Sequence, residues 1–218
     1  MQRVVFHFDV VSPYAHLAFE RLPQVLAGIG HVVEYRPLLF AGLLAHWGHK
    51  GPAEIEPKRQ WTFRHVHWLA ARHDVTLHTP AQHPFNPLPL QRLLLACGPN
   101  RRTVEAVMRH VWCSEGAAAD DPQRLAALSV ELKPPRDPAG DEVKAELRVL
   151  TADAAARGAF GVPTFEIDSA PGSPAGPRLF WGHDALEMLA DALRGEPWFA
   201  GPAWDREGAP RPGVVRRG

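Results

Sequence analysis

The sequence predicts an α/β fold in which a large helical insertion separates a β-α-β half from a β-β-α half. Three observations lead there. A strand, a helix and a strand open the chain at Val4–Asp9, Ala15–Leu26 and His31–Arg36. Two β-rich runs and a helical pattern close it at Thr164–Asp168, Arg178–Trp181 and His183–Leu193. Between them, residues 57–160 carry helical spacing without alternating strands. With 218 residues, the chain is long enough to bury roughly 70% of its extended surface, as one domain or as a small domain with an insertion.

Each element has a local reason. Val4-Val5-Phe6-His7-Phe8-Asp9 reads as a buried strand, and Val10 to Tyr14 turn the chain. Pro13 suits the first helical position, which places Ser12 at a helix N-terminus. Gly28 to Gly30 close that helix, and Pro37 ends the second strand because the residue before a proline avoids helical geometry. Two strands cannot bury both faces, so the remaining sheet must come from downstream. In the middle, Pro57–Arg72 carries Trp61, Val66 and Trp68 among basic residues, and Asn86-Pro87-Leu88-Pro89 enters Leu90–Ala96. Gly98-Pro99 closes that segment, and Thr103–Cys113 places Val104, Val107, Met108 and Val111 on one stripe. Helical patterns follow around Pro122–Glu131 and Glu142–Phe160. Ser169–Pro177 reads as the turn of an antiparallel hairpin, longer than the commonest two-residue loop. Leu186, Leu189, Ala190 and Leu193 form the sheet-facing stripe of the last helix, stopped by Gly195 and Pro197.

Charge and cysteine usage narrow the function. Lys plus Arg and Asp plus Glu both number 24, so there is no basic excess of the kind nucleic-acid surfaces carry. The Arg-rich stretch Arg206–Arg217 reads as a solvated tail. Cys97 and Cys113 share no motif and suit buried thiols in a reducing compartment. With no basic leader and no apolar run of ~20 residues, the expectation is a cytoplasmic protein with neither a nucleic-acid nor a membrane partner.

Three short motifs carry chemistry, each with a plain structural alternative. At a helix N-terminus, the free backbone N–H groups beside Ser12 suit an anion or a thiolate, although Ser12 also serves as a simple cap. In Gly161-Val162-Pro163-Thr164-Phe165 a proline precedes a strand; a cis bond there can turn the preceding backbone toward a ligand, and a trans structural turn is the alternative. In Trp181-Gly182-His183-Asp184, Asp184 can cap a helix or receive an ammonium group. Twelve histidines invite a metal, with His46/His49 and His65/His67 as possible pairs. No His-Glu-x-x-His segment or cysteine pair supports a metal site, and none is expected. A Gly-x-Ser-x-Gly elbow and phosphate-binding glycine loops are absent too.

Taken in order, these residues resemble the 2-hydroxychromene-2-carboxylate isomerases, within the disulfide-oxidoreductase-A-like and kappa-class glutathione transferase group. The likeness rests on Phe8-Asp9-x-x-Ser12-Pro13-Tyr14 and on Arg36-Pro37-Leu38-Leu39-Phe40-Ala41-Gly42-Leu43. Gly51-Pro52-Ala53-Glu54-Ile55, Lys58-Arg59 and His83-Pro84-Phe85-Asn86-Pro87-Leu88 continue it. The Gly161–Phe165 and Phe180–Asp184 segments complete it in family order, over nearly 200 residues.

The resemblance implies a thioredoxin-like fold, with residues 1–40 and 155–200 as the thioredoxin-like domain, 41–154 as the inserted helical domain and 201–218 as a tail. It implies glutathione as cofactor: Ser12 donates to its thiolate, Val162 before Pro163 pairs with its cysteinyl backbone, and Gly182, His183 and Asp184 receive its γ-glutamyl end. Ala15 stands where redox relatives have their second cysteine, so resident dithiol exchange is not expected. The implied reaction is cis-trans isomerisation of 2-hydroxychromene-2-carboxylate or a related aromatic-degradation intermediate by reversible thiolate addition. Asn86, Lys50 and Arg36 are candidates for the substrate carboxylate, and His46 or Trp47 for its aromatic cavity. A homodimer is implied as well. Two departures bear on the substrate: Leu44-Ala45 replace a frequent Phe-Lys pair, and His183 replaces a frequent Asn. The alternatives are a kappa-like transferase that conjugates small electrophiles, and a non-catalytic thioredoxin-fold binding protein.

Overall fold

The computed structural model describes residues 1–168, 176–200 and 202–208. Strand β1 (Gln2–Phe8), helix α1 (Pro13–Val25) and strand β2 (His31–Pro37) open the chain, with β1 and β2 parallel as expected. Helices α2 (Phe40–Trp47), α3 (Glu56–Arg72), α4 (Leu88–Cys97), α5 (Arg101–Trp112), α6 (Pro122–Leu132) and α7 (Asp141–Ala156) follow. Strands β3 (Thr164–Ile167) and β4 (Arg178–Trp181) then complete a sheet of order β2-β1-β3-β4, in which β3 pairs antiparallel with both neighbours. Helices α8 (Leu186–Arg194), α9 (Pro197–Ala200) and α10 (Ala203–Gly208) end the described chain. The two chain ends therefore build one sheet. No helix among the described residues is long and apolar enough to cross a membrane.

Strand alternation gives the sheet two unlike faces. Val4, Phe6 and Phe8 of β1 join Phe165 and Ile167 of β3 in the main core, with Phe19 and Leu22 of α1 and Leu186 and Leu189 of α8. The Phe6 ring stacks between Phe8 at 5.0 Å and Phe165 at 4.9 Å. On the alternate positions, His7 Nε2 meets Glu166 at 3.2 Å, and Glu166 accepts from Arg157 at 3.1 Å. Arg157 and Arg36 both reach Asp153 of α7, at 3.1 and 3.2 Å. Despite the cost of burial, His7, Arg157 and Arg36 hold the Glu166 carboxyl below its ordinary value. Each buried aromatic ring contributes roughly 1.5–3 kcal/mol; the partly exposed Arg36 and Arg157 pairs to Asp153 contribute about 1 or less, and the buried His7–Glu166 pair loses much of its attraction to desolvation. The apolar face therefore dominates stability.

The helical block clamps the loops at the C-terminal ends of β1 and β2. Buried Gln91 of α4 donates to Phe8 O at 3.3 Å and to Leu38 O at 2.6 Å. The buried Trp112 indole donates to Val10 O at 3.0 Å, and the His83 ring meets Val11 O at 2.8 Å. Both grip the turn that leads to Ser12.

Several expectations shift. Helix α2 lies in a stretch whose sequence gave no helical reading. The last long helix starts at Leu186 rather than His183, and α7 stops at Ala156 instead of running to Phe160. Positive φ at Gly158 turns the chain there toward β3. Within the stretch expected as a tail, Trp204 of α10 packs on Phe180 at 5.3 Å. Most of the Ser169–Pro177 turn, and the Arg-rich stretch beyond residue 208, lie outside the described residues.

Candidate active site

Ser12 caps α1 from extended backbone, with Pro13 in the first turn, as the sequence indicates. Its hydroxyl accepts from Ala15 N at 3.3 Å and donates to Val162 O at 3.4 Å. Both contacts are long, and the residue is 8% exposed. The hydroxyl proton thus has only a weak acceptor, which a stronger anion can displace at small cost. Pro13 carries no N–H and Ala15 N is held by Ser12, so the positive end of the α1 dipole supplies the potential beside the hydroxyl.

Val162–Pro163 is a cis peptide bond. Gly182 N donates to Pro163 O at 2.9 Å, and Thr164 Oγ1 donates to Gly161 O at 2.7 Å. The proline loop and the Gly182–Asp184 segment are therefore neighbours, and the Ser12 contact to Val162 O brings all three sequence motifs together.

Gly182 adopts φ +103°, and a Cβ there would fall 2.4 Å from Asp184 Oδ1. The Asp184 carboxylate folds back over this bare backbone, exposed and with no hydrogen-bond or ion-pair partner among the described residues. It caps no helix: α8 begins two residues later, from Ala185. Replacing Gly182 with Ala imposes a disfavoured φ, while the exposed Asp184 side chain must swing aside. We expect a loss of about 1–3 kcal/mol in urea unfolding; an unchanged midpoint would show that the loop yields freely.

His183 is 5% exposed, and its buried Nε2 has no partner. Burial, with Arg21 and His73 nearby, pushes it down to about 4 against the pull of Asp184. The ring is therefore a neutral, unsatisfied polar group beside an open carboxylate, which suits a polar ligand. Two residues from Ser12, the Tyr14 hydroxyl pairs with His65 Nδ1 at 2.8 Å; burial and the Asp184 charge raise its pKa.

The remaining predicted residues are placed differently. Arg36 is committed to Glu34 at 2.5 Å and to Asp153 at 3.2 Å on the α7 side of the sheet, which leaves little for a substrate carboxylate. Asn86 is exposed; its Oδ1 accepts from Leu88 N at 3.1 Å, and its own N–H donates to Asp120 at 3.3 Å. That is a turn-forming role at the α4 entry. Lys50 is exposed with no ion pair among the described residues. His46 and Trp47 end α2 in edge-to-face contact at 4.9 Å, and the Trp47 indole donates to Ala159 O at 2.9 Å, three residues before Val162.

Asp9 stands in the Phe8-Asp9-x-x-Ser12-Pro13-Tyr14 motif but is not among the predicted site residues. Asp9 is fully buried; Oδ1 accepts from Val11 N at 3.1 Å and Oδ2 from Phe40 N at 2.8 Å. It ties the Ser12 turn to the start of α2. Burial raises it to about 7 against those two bonds. The available signal was an acid inside an apolar run, in Phe8-Asp9-Val10-Val11.

The sulfurs lie elsewhere. Ala15 is buried in the first turn of α1, and the free thiols Cys97 and Cys113 belong to the helical block, where burial pushes both pKa values up. A cleft lined by Arg109, His110, Cys113, Arg124 and Glu131 shares no residue with the Ser12 cluster. No group of three or more His, Cys, Asp or Glu among the described residues is arranged to hold a metal ion.

The sequence matches the DSBA-like thioredoxin domain over residues 3–194. A 2-hydroxychromene-2-carboxylate isomerase of Sphingobium xenophagum is 28% identical over 200 residues, covering 86% of this chain and 96% of the relative. Glutathione S-transferase kappa 1 of Rattus norvegicus is 27% identical over 218 residues, covering 88% and 90%. Among solved structures, a 2-hydroxychromene-2-carboxylate isomerase superposes with a TM-score of 0.74 at 24% identity, covering 90% of this chain and 96% of that one.

Proposed function

The chain belongs to the DSBA-like thioredoxin domain family, and on that premise we propose that it is a glutathione-dependent cis-trans isomerase of 2-hydroxychromene-2-carboxylate or a related aromatic intermediate. One observation carries the reading: the weakly engaged Ser12 hydroxyl at the α1 N-terminus, facing Val162 O beside cis Pro163, with no cysteine in the turn. That is a site for a sulfur brought from outside. Curated relatives named as isomerase and as kappa transferase support the same reading.

The residues present fit glutathione. The unpaired Asp184 carboxylate suits the tripeptide's ammonium group, and the orphaned His183 Nε2 suits a polar atom of the same γ-glutamyl end. Bare backbone at Gly182 leaves room for it. The Val162 backbone offers strand-like pairing to the cysteinyl unit. When bound, glutathione supplies a thiolate that adds reversibly to a conjugated double bond, allows rotation and leaves again. Ser12 donates a hydrogen bond to the sulfur, and the α1 N-terminus stabilises its negative charge. His46 and Trp47 border the apolar end of the substrate, with Lys50 the free cation for its carboxylate. In this proposal residues 1–40 and 155–200 hold the sulfur and 41–154 shape the substrate side.

A kappa-like transferase is the second reading. It is favoured by the pairing of Arg36 and the turn role of Asn86, which leave carboxylate recognition to Lys50 alone. Thiolate absorbance near ~240 nm on adding glutathione at neutral pH tests the shared premise. A saturable rise is expected; none, in folded protein, overturns the glutathione reading. Turnover then separates the two activities: the isomerase returns free glutathione, and the transferase consumes it into a stable thioether.

A further inference from the structure

Three large aromatic side chains stand around the segment that carries Val162, and none is covered by the described chain. Trp47 is 42% exposed, Phe160 47% and Trp181 52%. Single exposed aromatics are ordinary surface. These three are held in fixed relation to one short loop. The Trp47 indole donates to Ala159 O. The Phe160 and Trp181 rings lie 4.9 Å apart at 53°. Trp181 crosses the bare backbone of Gly161, where a Cβ would fall 2.3 Å from Nε1 and 3.1 Å from Cε2. The loop has given up a side chain at that position so that the indole can lie against it. The next residue is Val162, whose carbonyl oxygen meets the Ser12 hydroxyl.

We propose that Phe160 and Trp181, together with Trp47, form the subsite for the planar aromatic part of the substrate, the ring attached to the carbon that the sulfur attacks. This rests on the glutathione reading above. The occupant follows from position and chemistry. The rings adjoin the sulfur-binding backbone within three residues, so their occupant is covalently near the sulfur. Indole and phenyl faces favour a flat apolar ring in offset or edge contact. Lys50, exposed three residues beyond Trp47 and next to the polar His46 and His49 in sequence, supplies one cation suited to a ring that carries an anionic group. Three rings are too small a patch for a stable protein interface, which needs about 800 Å² on each partner.

The test compares S-benzylglutathione with S-methylglutathione by isothermal titration. The two differ only in an aromatic ring carried on the sulfur. The wild type is expected to prefer the benzyl form by about tenfold, in the range of one good aromatic contact. Phe160→Leu and Trp181→Leu, both at half-exposed positions, are each expected to reduce that ratio to about threefold or less. Equal affinities in the wild type, or a ratio unmoved in both variants, overturn the subsite while leaving glutathione binding intact. Binding of neither conjugate overturns the glutathione reading and the subsite with it. Sedimentation of the same variants reads the other occupant: a homodimer that dissociates while the ratio holds would make the rings a subunit contact and overturn the subsite.

Discussion

Ser12→Ala is expected to lower kcat/KM for isomerisation by about 10²-fold and to move the glutathione thiolate titration up by about one pH unit. Removing one preorganised donor to a developing anion costs ~2.7–4 kcal/mol where the acceptor is oxygen. Sulfur accepts a weaker hydrogen bond, so the lower end of that range applies. The helix N-terminus remains in the variant and retains part of the stabilisation. Ser12 also caps α1 through Ala15 N at 3.3 Å, so the variant should lose about 0.5–2 kcal/mol of stability as well. Ser12→Thr separates the two roles. It keeps the hydroxyl and the cap, and should stay within about tenfold of wild type in turnover. Wild-type turnover in a folded Ser12→Ala protein would sink the assignment of Ser12 as the sulfur's partner. An equal loss in both variants would point to packing at this buried position rather than to the donated hydrogen bond.

How much of this was legible in the sequence depended on whether the cause was local. Strands β1 and β2 and helix α1 announce themselves through apolar runs, Pro13 and Pro37, and the structure sets them where those signals stand. The cap role of Ser12 is equally local. Helix α2 is different. It has eight residues and no side-chain cap at Leu39, and its first turn is held from outside. Asp9 accepts from Phe40 N, and Thr151 Oγ1 from Leu39 N at 3.0 Å. Neither partner is near in sequence, so no window over residues 40–47 contains the reason for that helix. The same holds at the site. Ser12, Val162 and Gly182–Asp184 could be picked out because each motif has a local oddity: a cap, a proline before a strand, a glycine before an acid. Arg36 could not be judged that way, because its engagement with Asp153 crosses from β2 to α7. Phe160 read only as the end of a helical pattern, and Trp181 as part of a matched segment, until the fold brought their rings together beside Gly161.

Asp9 gives the second large effect, through pH. Its carboxyl rises from 3.8 to about 7 because burial outweighs the hydrogen bonds from Phe40 and Val11. A folded-state value above the unfolded one means that the native protein holds this proton more tightly. The corresponding stability is fully present below about 3.8 and is lost as pH rises through about 7. At 1.36 kcal/mol per pH unit, the displacement corresponds to roughly 4 kcal/mol. Total stability will not display it cleanly. His16 and His183, both pushed down to about 4 chiefly by burial, act in the opposite sense: their contribution is present above about 6.5 and lost as pH falls toward 4. Urea unfolding of wild type and Asp9→Asn across pH 4–8 removes the histidines by subtraction. The wild-type advantage over the variant is expected to shrink by roughly 4 kcal/mol over that range; a flat difference would mean that Asp9 ionises as an ordinary carboxylate. The same titration reaches the site. Protonation turns one Asp9 oxygen into a donor and a much weaker acceptor, so a proton on Asp9 weakens either the Val11 bond beside Ser12 or the Phe40 bond that starts α2. The sulfur side and the substrate side of the proposed site are thus joined through one buried acid.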